Sequence, residues 1–429
     1  MMMRNPSIVI FGLFVSSLSA AEGEWTRFRG PNGTGLSDAT RIPITWTEQD
    51  YNWIVDLPGV GHSSPVVWDR KLIVTCGDPK TATRIIVCLD GSDGHTIWQR
   101  DYRSENHRQH RHNSYATATP SVDAHGAITT WTTPDEVVLL ALDLDGNEQW
   151  RRDLGPFVGP HGSGSSPIIA GDLVVLANEQ EDPAIVARMM GRKVPTDPPG
   201  KSFLIAVDRK TGQTRWQVPR RTALAAYSTP CVRRTTDGAE ELIFTSTAYG
   251  ITAIDLATGR VNWEIDGVFE DRCVGSPVLA GELVIGSYGH GVRGMRCIAV
   301  RPGSRSTDTK PAIIIDVTRS VPLVPSPLVK GNRIFLWADD GVVTCLDGSS
   351  GEVIWRERVD GSYYGSPVCV RDRLYCISRD GEVVVVSASD RFEVLARIPL
   401  GEPSFATPAI SNGVMYLRTQ SHLYSLGEP

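Results

Sequence analysis

The sequence predicts an all-β fold, an eight-bladed β-propeller of four-stranded blades, and two alternating motifs carry this prediction. The first motif is Asp-x-x-x-Gly-x-x-x-Trp, and the second is a small or hydroxyl residue followed by proline and aliphatic residues. They alternate at a period of roughly 40 to 60 residues, which is typical of the four short strands of a propeller blade. Because a closed propeller is a single domain, the repeat outweighs the two or three domains that a chain of 429 residues would otherwise suggest.

The first motif provides a tight turn and a large aromatic side chain in each blade. Its Asp can accept backbone N–H groups, its Gly can take a positive φ, and its Trp suits packing between blades. We therefore interpret these residues as structural, and they are Asp90, Gly94 and Trp98; Asp208, Gly212 and Trp216; Asp255, Gly259 and Trp263; Asp347, Gly351 and Trp355; and Trp150 in a copy that is one residue shorter.

The second motif counts the blades and shows how the ring closes. Its eight prolines, each of which opens an inner strand, are Pro65, Pro120, Pro167, Pro230, Pro277, Pro327, Pro367 and Pro408. Trp53 precedes Pro65 by the same 12 residues that separate Trp355 from Pro367, yet no inner strands precede Trp53. Residues 52–57 are therefore predicted to supply the outer strand of the last blade, which removes the open edges of the ring.

The chain is predicted to consist of a signal peptide, an N-terminal extension and the propeller, over residues 1–21, 22–44 and 45–429. Arg4 supplies the positive start of the signal, residues 8–18 its apolar stretch, and Ser19 begins its small residues. The stretch is shorter than the roughly 20 residues of a spanning helix, and no cysteine follows it to carry a lipid. We therefore expect a periplasmic or secreted monomer with no transmembrane segment after signal removal.

Charge and cysteine content restrict the partners and the cross-links. The net charge of −6 and the lack of a long basic run argue against nucleic acid as a partner. Eight cysteines in an exported chain permit disulfides without requiring them. Cys76 with Cys88, and Cys369 with Cys376, are placed to bridge neighbouring strands, whereas buried free thiols are the alternative.

The first motif resembles a known repeat where it is most complete. The run from Ala253 to Gly259, followed by Trp263, is similar to the PQQ-type repeat of the quinoprotein alcohol dehydrogenase-like superfamily, and the resemblance covers residues 45–426. The opening run from Trp25 to Gly33 resembles exported PQQ-like proteins of planctomycete-type bacteria. The resemblance implies an eight-bladed propeller but no single function, because the superfamily includes both dehydrogenases and a non-enzymatic subunit of the outer-membrane assembly machinery.

Several features of the superfamily's dehydrogenases are missing from this chain. Those enzymes carry two adjacent cysteines over the cofactor and hold Ca²⁺ with Glu, Asn and Asp side chains. This chain has no adjacent cysteines and no C-x-x-C-H haem signature, and the calcium motifs cannot be matched to it residue by residue. The resemblance makes PQQ with Ca²⁺ a candidate cofactor that the dehydrogenase motifs do not support, so no cofactor is assigned.

Candidate binding residues precede the proline of each blade, where the chain reaches the mouth of the axial channel. The predicted ligand-binding residues are His62, His112, Asn113, Tyr115, His161, Tyr227, Asp271, Arg272, Tyr364 and Phe405. Three readings of the histidines stay open: metal ligands together with Glu179, polar lining of a pocket, or partners of backbone groups in the connecting loops.

Three functions from different classes remain after these observations. The leading prediction is a non-catalytic module that binds a small molecule or a protein at its channel mouth. The first alternative is a divergent PQQ-dependent oxidoreductase of alcohols or sugars, with Asp271 or Glu179 as base, Arg272 as carboxylate clamp and His161 as ligand. The second alternative is an envelope assembly scaffold.

Overall fold

Eight antiparallel blades of four strands each form the ring of an eight-bladed β-propeller, so the predicted fold class is confirmed. The computed structural model describes residues 23–107, 109–110, 112–159, 161–190, 200–221, 224–304 and 308–428. The predicted signal peptide lies outside the described residues.

Each blade contains four consecutive strands from the channel outwards, except the last. Two strands precede the first blade, β1 (Leu36–Ser37) and β2 (Tyr51–Asp56). Blades 1 to 4 contain β3 (Val66–Trp68), β4 (Lys71–Gly77), β5 (Arg84–Asp90) and β6 (Thr96–Tyr102); β7 (Ser121–Asp123), β8 (Gly126–Thr132), β9 (Val137–Leu142) and β10 (Glu148–Asp153); β11 (Ile168–Ala170), β12 (Leu173–Asn178), β13 (Phe203–Asp208) and β14 (Thr214–Pro219); and β15 (Cys231–Arg234), β16 (Glu240–Ser246), β17 (Gly250–Asp255) and β18 (Val261–Ile265).

The second half of the ring continues the same order. Blades 5 to 8 contain β19 (Val278–Ala280), β20 (Leu283–His290), β21 (Arg293–Arg301) and β22 (Ala312–Val317); β23 (Leu328–Lys330), β24 (Arg333–Trp337), β25 (Val342–Asp347) and β26 (Val353–Arg358); β27 (Val368–Val370), β28 (Arg373–Ile377), β29 (Glu382–Ser387) and β30 (Val394–Pro399); and β31 (Ala409–Ser411), β32 (Val414–Arg418) and β33 (His422–Gly427). Helix α1 (Pro183–Met190) lies in the long insertion between β12 and β13.

The predicted closing strand is β2, which completes the last blade. It pairs antiparallel with β33, with Trp53 opposite Ser425 and Asp56 opposite His422. The N-terminal part of the chain makes a second contact of this kind that the sequence did not predict. Strand β1 pairs in parallel with β27, the innermost strand of blade 7, through Leu36 and Ser37.

The Asp-Gly-Trp motif joins neighbouring blades of the ring. Trp216 of blade 3 donates its Nε1–H to the carbonyl oxygen of Leu256 in blade 4 at 2.9 Å. Gly259 follows in the same turn with φ 73°, and a Cβ there would lie 2.7 Å from the Trp216 ring. Glycine is therefore required both for the backbone conformation and for the close approach. The same arrangement recurs at three other blade pairs, which join Trp53 to Gly94, Trp98 to Gly146 and Trp150 to Gly212.

The fifth blade, which has no Trp in its sequence, replaces that contact with an aliphatic one. Ile315 on its outer strand is buried, and its Cγ2 would lie 2.8 Å from a Cβ on Gly351 of blade 6. Trp263 of blade 4 donates its Nε1–H within its own blade, to the carboxylate of Glu241 at 3.3 Å. Blade 5 thus keeps an apolar side chain at the packing position, whereas Trp263 changes only the partner of its hydrogen bond.

The residue before each proline of the second motif belongs to a closed ring of hydrogen bonds around the channel. Its backbone N–H donates to the side-chain hydroxyl of the corresponding residue in the next blade, at 2.9 to 3.0 Å in seven cases and 3.4 Å in the eighth. All eight residues are buried. We call them the hydroxyl ring, and they are Ser64, Thr119, Ser166, Thr229, Ser276, Ser326, Ser366 and Thr407.

Residues 25–37 cross the channel beneath the hydroxyl ring, and we call them the channel segment. Backbone bonds attach them to Val67 of blade 1, Val122 of blade 2 and Cys369 of blade 7. The buried side chains of Arg27 and Arg29 donate to the carbonyl oxygens of Pro230 in blade 4 and Pro327 in blade 6. The segment therefore contacts the inner strands of five blades and closes the channel.

All eight cysteines are buried and free, so neither of the two candidate disulfides is present. Cys76 lies opposite Ile85 and Cys88 opposite Ile73 in the β4–β5 ladder, which places the two thiols out of register. Their side chains also belong to different interblade cores. Cys369 and Cys376 share one core, where their thiols donate to the carbonyl oxygens of Arg371 and Gly365.

Candidate functional site

A cavity of about 480 Å³ lies at the mouth of the channel, above the channel segment. Phe28 of that segment is among its lining residues, as are seven of the eight members of the hydroxyl ring. The cavity is therefore a blind pocket, and we call it the mouth pocket. Nine of the ten predicted ligand-binding residues line it, namely His62, His112, Asn113, His161, Tyr227, Asp271, Arg272, Tyr364 and Phe405.

Flat side chains from blades 1, 7 and 8 form one part of the pocket wall. The rings of His62 and Phe405 are stacked with centroids 4.3 Å apart, and Tyr364 lies 5.9 Å from Phe405. The guanidinium of Arg379 lies 4.6 Å from the centre of the Tyr364 ring and contacts Nδ1 of His112 at 3.2 Å. This cation–π contact helps to hold the Tyr364 ring in its orientation.

Three more rings extend the wall across blades 2, 3 and 4. His161 makes an edge contact with His110 at 4.2 Å and with Tyr227 at 6.2 Å between ring centres. Burial, aided by nearby cations, lowers the pKa of both His62 and His161 to about 3. These two imidazoles are therefore neutral at physiological pH, and each offers one donor and one acceptor nitrogen.

The charged groups of the pocket are paired with one another. Arg272 donates from Nη2 and Nε to one oxygen of Glu181, at 2.5 and 3.2 Å, and the Tyr227 hydroxyl reaches the same oxygen at 3.4 Å. The Glu181 side chain is fully buried, and this burial raises the pKa of its carboxyl. Asp271 contacts Nδ1 of the exposed His290. The wall thus contains polar groups without a large excess of either charge.

The structure does not bring the candidate metal ligands together. Among the residues that the structure describes, no group of three or more His, Cys, Asp or Glu side chains is placed to hold a metal ion. Glu179 is buried, and its carboxylate accepts the backbone N–H of Ala226 at 3.0 Å. Burial raises the pKa of Glu179 to about 7. Its contact supports the loop before Tyr227, and Glu179 itself does not line the mouth pocket.

Tyr115 is the predicted ligand-binding residue that lies elsewhere. Its ring lies under the guanidinium of Arg84, which is 4.5 Å from the ring centre, and its hydroxyl donates to the carbonyl oxygen of His107 at 2.6 Å. Arg84 and Tyr115 both line a smaller cavity beside the mouth pocket. Position before the proline therefore brings a residue to the mouth without determining which way its side chain turns.

Sequence reasoning missed Phe28, the hydroxyl ring and the loop that carries Leu323 and Val324. The hydroxyl residue before each proline is part of the sequence motif. Its hydrogen bond, however, joins two different blades, so the residues around it in the sequence do not indicate that bond. The backbone N–H groups of Leu323 and Val324 donate to the buried carboxylate of Asp339 at 2.7 and 3.1 Å. Burial raises the pKa of Asp339 to about 7. No spacing rule connects these distant positions.

The comparisons with known proteins agree with this architecture. A family model described as "Outer membrane protein assembly factor BamB" matches residues 44–304 and 308–423. The chain belongs to this family. A search of curated proteins finds no significant match. The PQQ-like propeller predicted from the repeat is thereby confirmed, whereas the planctomycete-type origin stays a prediction.

Three solved structures resemble the chain in fold. BamB from Moraxella catarrhalis is 15% identical with a TM-score of 0.60, and the match covers 88% of this chain and 98% of that one. Quinohemoprotein alcohol dehydrogenase from Comamonas testosteroni is 12% identical with a TM-score of 0.64, covering 97% and 82%. Sqt1 from Saccharomyces cerevisiae is 11% identical with a TM-score of 0.59, covering 91% and 100%. At these identities the likeness shows the fold alone.

Within the described residues, no helix is both long and apolar enough to span a bilayer.

Proposed function

We propose that this BamB-family propeller is an exported, non-catalytic binding module that receives a small polar ligand in its mouth pocket. The convergence of nine separately predicted residues, from seven blades, on one blind cavity carries the proposal. A volume of about 480 Å³ lies within the range of small-molecule pockets. Rigid flat rings and a few converging polar groups are the usual composition of such sites.

A comparison of thermal unfolding with and without candidate ligands tests this function. The change is Phe405→Ala, which removes one member of the stacked pair in the wall. A ligand that binds only the folded protein raises its melting temperature, so we expect such a ligand to stabilise the wild type and to lose most of that effect in Phe405→Ala.

The matched control is Val394→Ala on the outer strand of blade 7, at a side chain that is 36% exposed. A ligand of the mouth pocket stabilises this variant as it does the wild type. If every ligand that stabilises the wild type stabilises Phe405→Ala equally, the mouth pocket is not the binding site. Chemical conversion of a bound ligand would show that the module is an enzyme.

The residues of the pocket do not fit PQQ held by Ca²⁺. Asp271 is the one carboxylate among the lining residues, and its Oδ2 contacts His290. Ca²⁺ prefers six to eight oxygen ligands with several carboxylates, and the lining residues described here do not supply such a set. The quinone-dependent alternative therefore has no observation in its favour. It is tested by titrating the protein with PQQ, with and without Ca²⁺, and following absorbance.

Protein binding at the same mouth is the second candidate function, and exposed apolar residues favour it. Val292 and Met295, at and beside the turn between β20 and β21, are 55% and 47% exposed, and Val292 also lines the pocket. Exposed apolar side chains next to a binding site are typical of interaction surfaces. The family description names an assembly factor. A partner that uses this surface co-purifies with Val394→Asp but is lost with Val292→Asp, and equal recovery with both would exclude the surface.

A further inference from the structure

The base of the mouth pocket is rich in hydrogen-bond donors. Each hydroxyl of the ring already accepts one backbone N–H, for example Thr119 from Ser64 and Thr407 from Ser366, both at 2.9 Å. A hydroxyl has one hydrogen to donate and two lone pairs. Seven of the eight hydroxyl-ring residues line the pocket. Within the described residues, no donation from these seven hydroxyls is found, so their hydrogens are available to a molecule in the pocket. Oxygen-rich molecules that accept several hydrogen bonds at once fit this base.

The wall above the ring offers flat apolar faces beside neutral polar groups. Phe405 is stacked on His62, and Tyr364 lies 5.9 Å from Phe405 between ring centres, so three rings line this part of the pocket. The low pKa of His62 and His161 keeps their rings uncharged, and Arg272 is neutralised by Glu181. A ligand that combines a C–H face with many hydroxyl groups matches such a wall, because the face packs on the rings while the hydroxyls replace water at the polar groups.

The floor of the pocket determines how far a ligand can enter. Phe28 lies in the lining, and the flanking Arg27 and Arg29 bind carbonyl oxygens on blades 4 and 6. A chain molecule therefore cannot pass through the channel. The pocket can receive the end of such a molecule, but it cannot receive an internal unit that continues in both directions.

We propose that the mouth pocket binds the terminal sugar unit of a carbohydrate chain. This inference rests on the proposed binding function and adds the ligand class. A sugar ring has both the C–H face that the Phe405 wall requires and the acceptor hydroxyls that the ring of hydroxyl donors requires. A peptide backbone would satisfy few of those donors, and a planar quinone with several carboxylates would meet a pocket whose arginine is already paired.

Calorimetric titration with linear and cyclic oligosaccharides tests the inference. The probes are maltotriose, which is a linear trisaccharide of glucose, the linear trisaccharides of galactose, mannose, xylose and N-acetylglucosamine, and α-cyclodextrin, a closed ring of glucose units with the linkage of maltotriose and no end. We expect at least one linear probe to bind and α-cyclodextrin not to bind. Phe405→Leu, which keeps an apolar side chain but removes the flat face, is expected to weaken binding at least about tenfold. Val394→Ala is expected to bind as the wild type does.

Different negative results distinguish the carbohydrate inference from the proposed binding function. If no oligosaccharide binds but another small molecule stabilises the wild type and not Phe405→Ala, the carbohydrate inference is wrong while the binding function stands. If α-cyclodextrin binds as well as maltotriose, the recognition of an end is wrong. If a linear probe binds Phe405→Leu and the wild type equally, the sugar site lies outside the mouth pocket and this inference is overturned.

Discussion

The hydroxyl ring predicts a specific loss of stability when one of its hydroxyls is removed without changing the side chain's shape. Thr119→Val is such a change, because valine replaces the hydroxyl by a methyl group of similar size. Thr119 is 2% exposed and its Oγ1 accepts the backbone N–H of Ser64 at 2.9 Å. The substitution leaves that buried N–H without its protein acceptor.

The magnitude follows from the unpaired donor and from the size of the protein. A buried N–H without a partner costs about 1 to 3 kcal/mol. Unfolding entropy of about 2.1 cal/mol/K per residue, taken over roughly 400 ordered residues, converts this range into a decrease in melting temperature of about 1 to 4 °C. The ring also supplies its own internal control. Thr229 is 3% exposed, but its bond from Ser166 is long, at 3.4 Å, which is beyond the usual range for N–H···O bonds.

Urea unfolding followed by circular dichroism, together with calorimetric melting, provides the assay. We expect Thr119→Val to lower the urea midpoint clearly at an unchanged slope, and Thr229→Val to lower it less. Thr119→Ser, which keeps the hydroxyl, should keep most of the stability that Thr119→Val loses. Equal stability of Thr119→Val and the wild type, or a larger loss in Thr229→Val, would refute the assignment of the ring as a stabilising bond network.

Two further predictions concern a buried carboxyl and a turn glycine. Burial raises the pKa of Asp339 to about 7. Between about pH 4 and about pH 7 the folded protein therefore keeps a proton on this carboxyl that the unfolded chain has released. The contribution of Asp339 to stability consequently falls as the pH rises from about 4 to about 7, and it is constant above that range. Asp339→Asn should therefore gain stability relative to the wild type as the pH rises through that window in urea unfolding, and parallel pH profiles would contradict this. Gly259→Ala should cost more stability than Gly401→Ala, because both glycines have a positive φ, 73° and 79°, but only at Gly259 would a Cβ meet another residue, Trp216, at 2.7 Å. We expect Gly401→Ala to lower the free energy of unfolding by about 1 to 2 kcal/mol through the backbone conformation alone, and Gly259→Ala to lower it by about 1 to 3 kcal/mol more because of the clash. Equal urea midpoints of the two variants would show that the close approach of Gly259 to Trp216 does not destabilise the alanine variant.

The fold was readable from the sequence because each blade repeats its own local signals. The 12-residue offset from Trp53 to Pro65 identified the closing strand to within one residue, since β2 begins at Tyr51. The parallel strand β1 was not predicted, because the two residues Leu36 and Ser37 are too few to show a periodic pattern. Its position depends on the inner strand of blade 7, far along the chain.

The site was readable in position but not in detail. Offsets before the prolines placed His62 and Phe405 at the mouth, and the structure stacks their rings. They could not show that the Tyr115 ring lies under Arg84 or that Phe28 reaches the pocket from the other side of the channel. The offsets follow from the regular backbone of the blades, whereas the side-chain directions follow from contacts between parts of the chain that are distant in sequence.

The channel segment has a consequence for the order in which the protein matures. During synthesis the N-terminal part of a chain emerges first, so Arg27 and Arg29 leave the ribosome long before the carbonyl groups of Pro230 and Pro327 exist. The hydrogen bond from the Cys369 N–H to the carbonyl oxygen of Gly35 can form only later still, because Cys369 is synthesised after both prolines. The earliest described residues are therefore among the last to reach their final environment. The nascent propeller must therefore assemble around its own beginning.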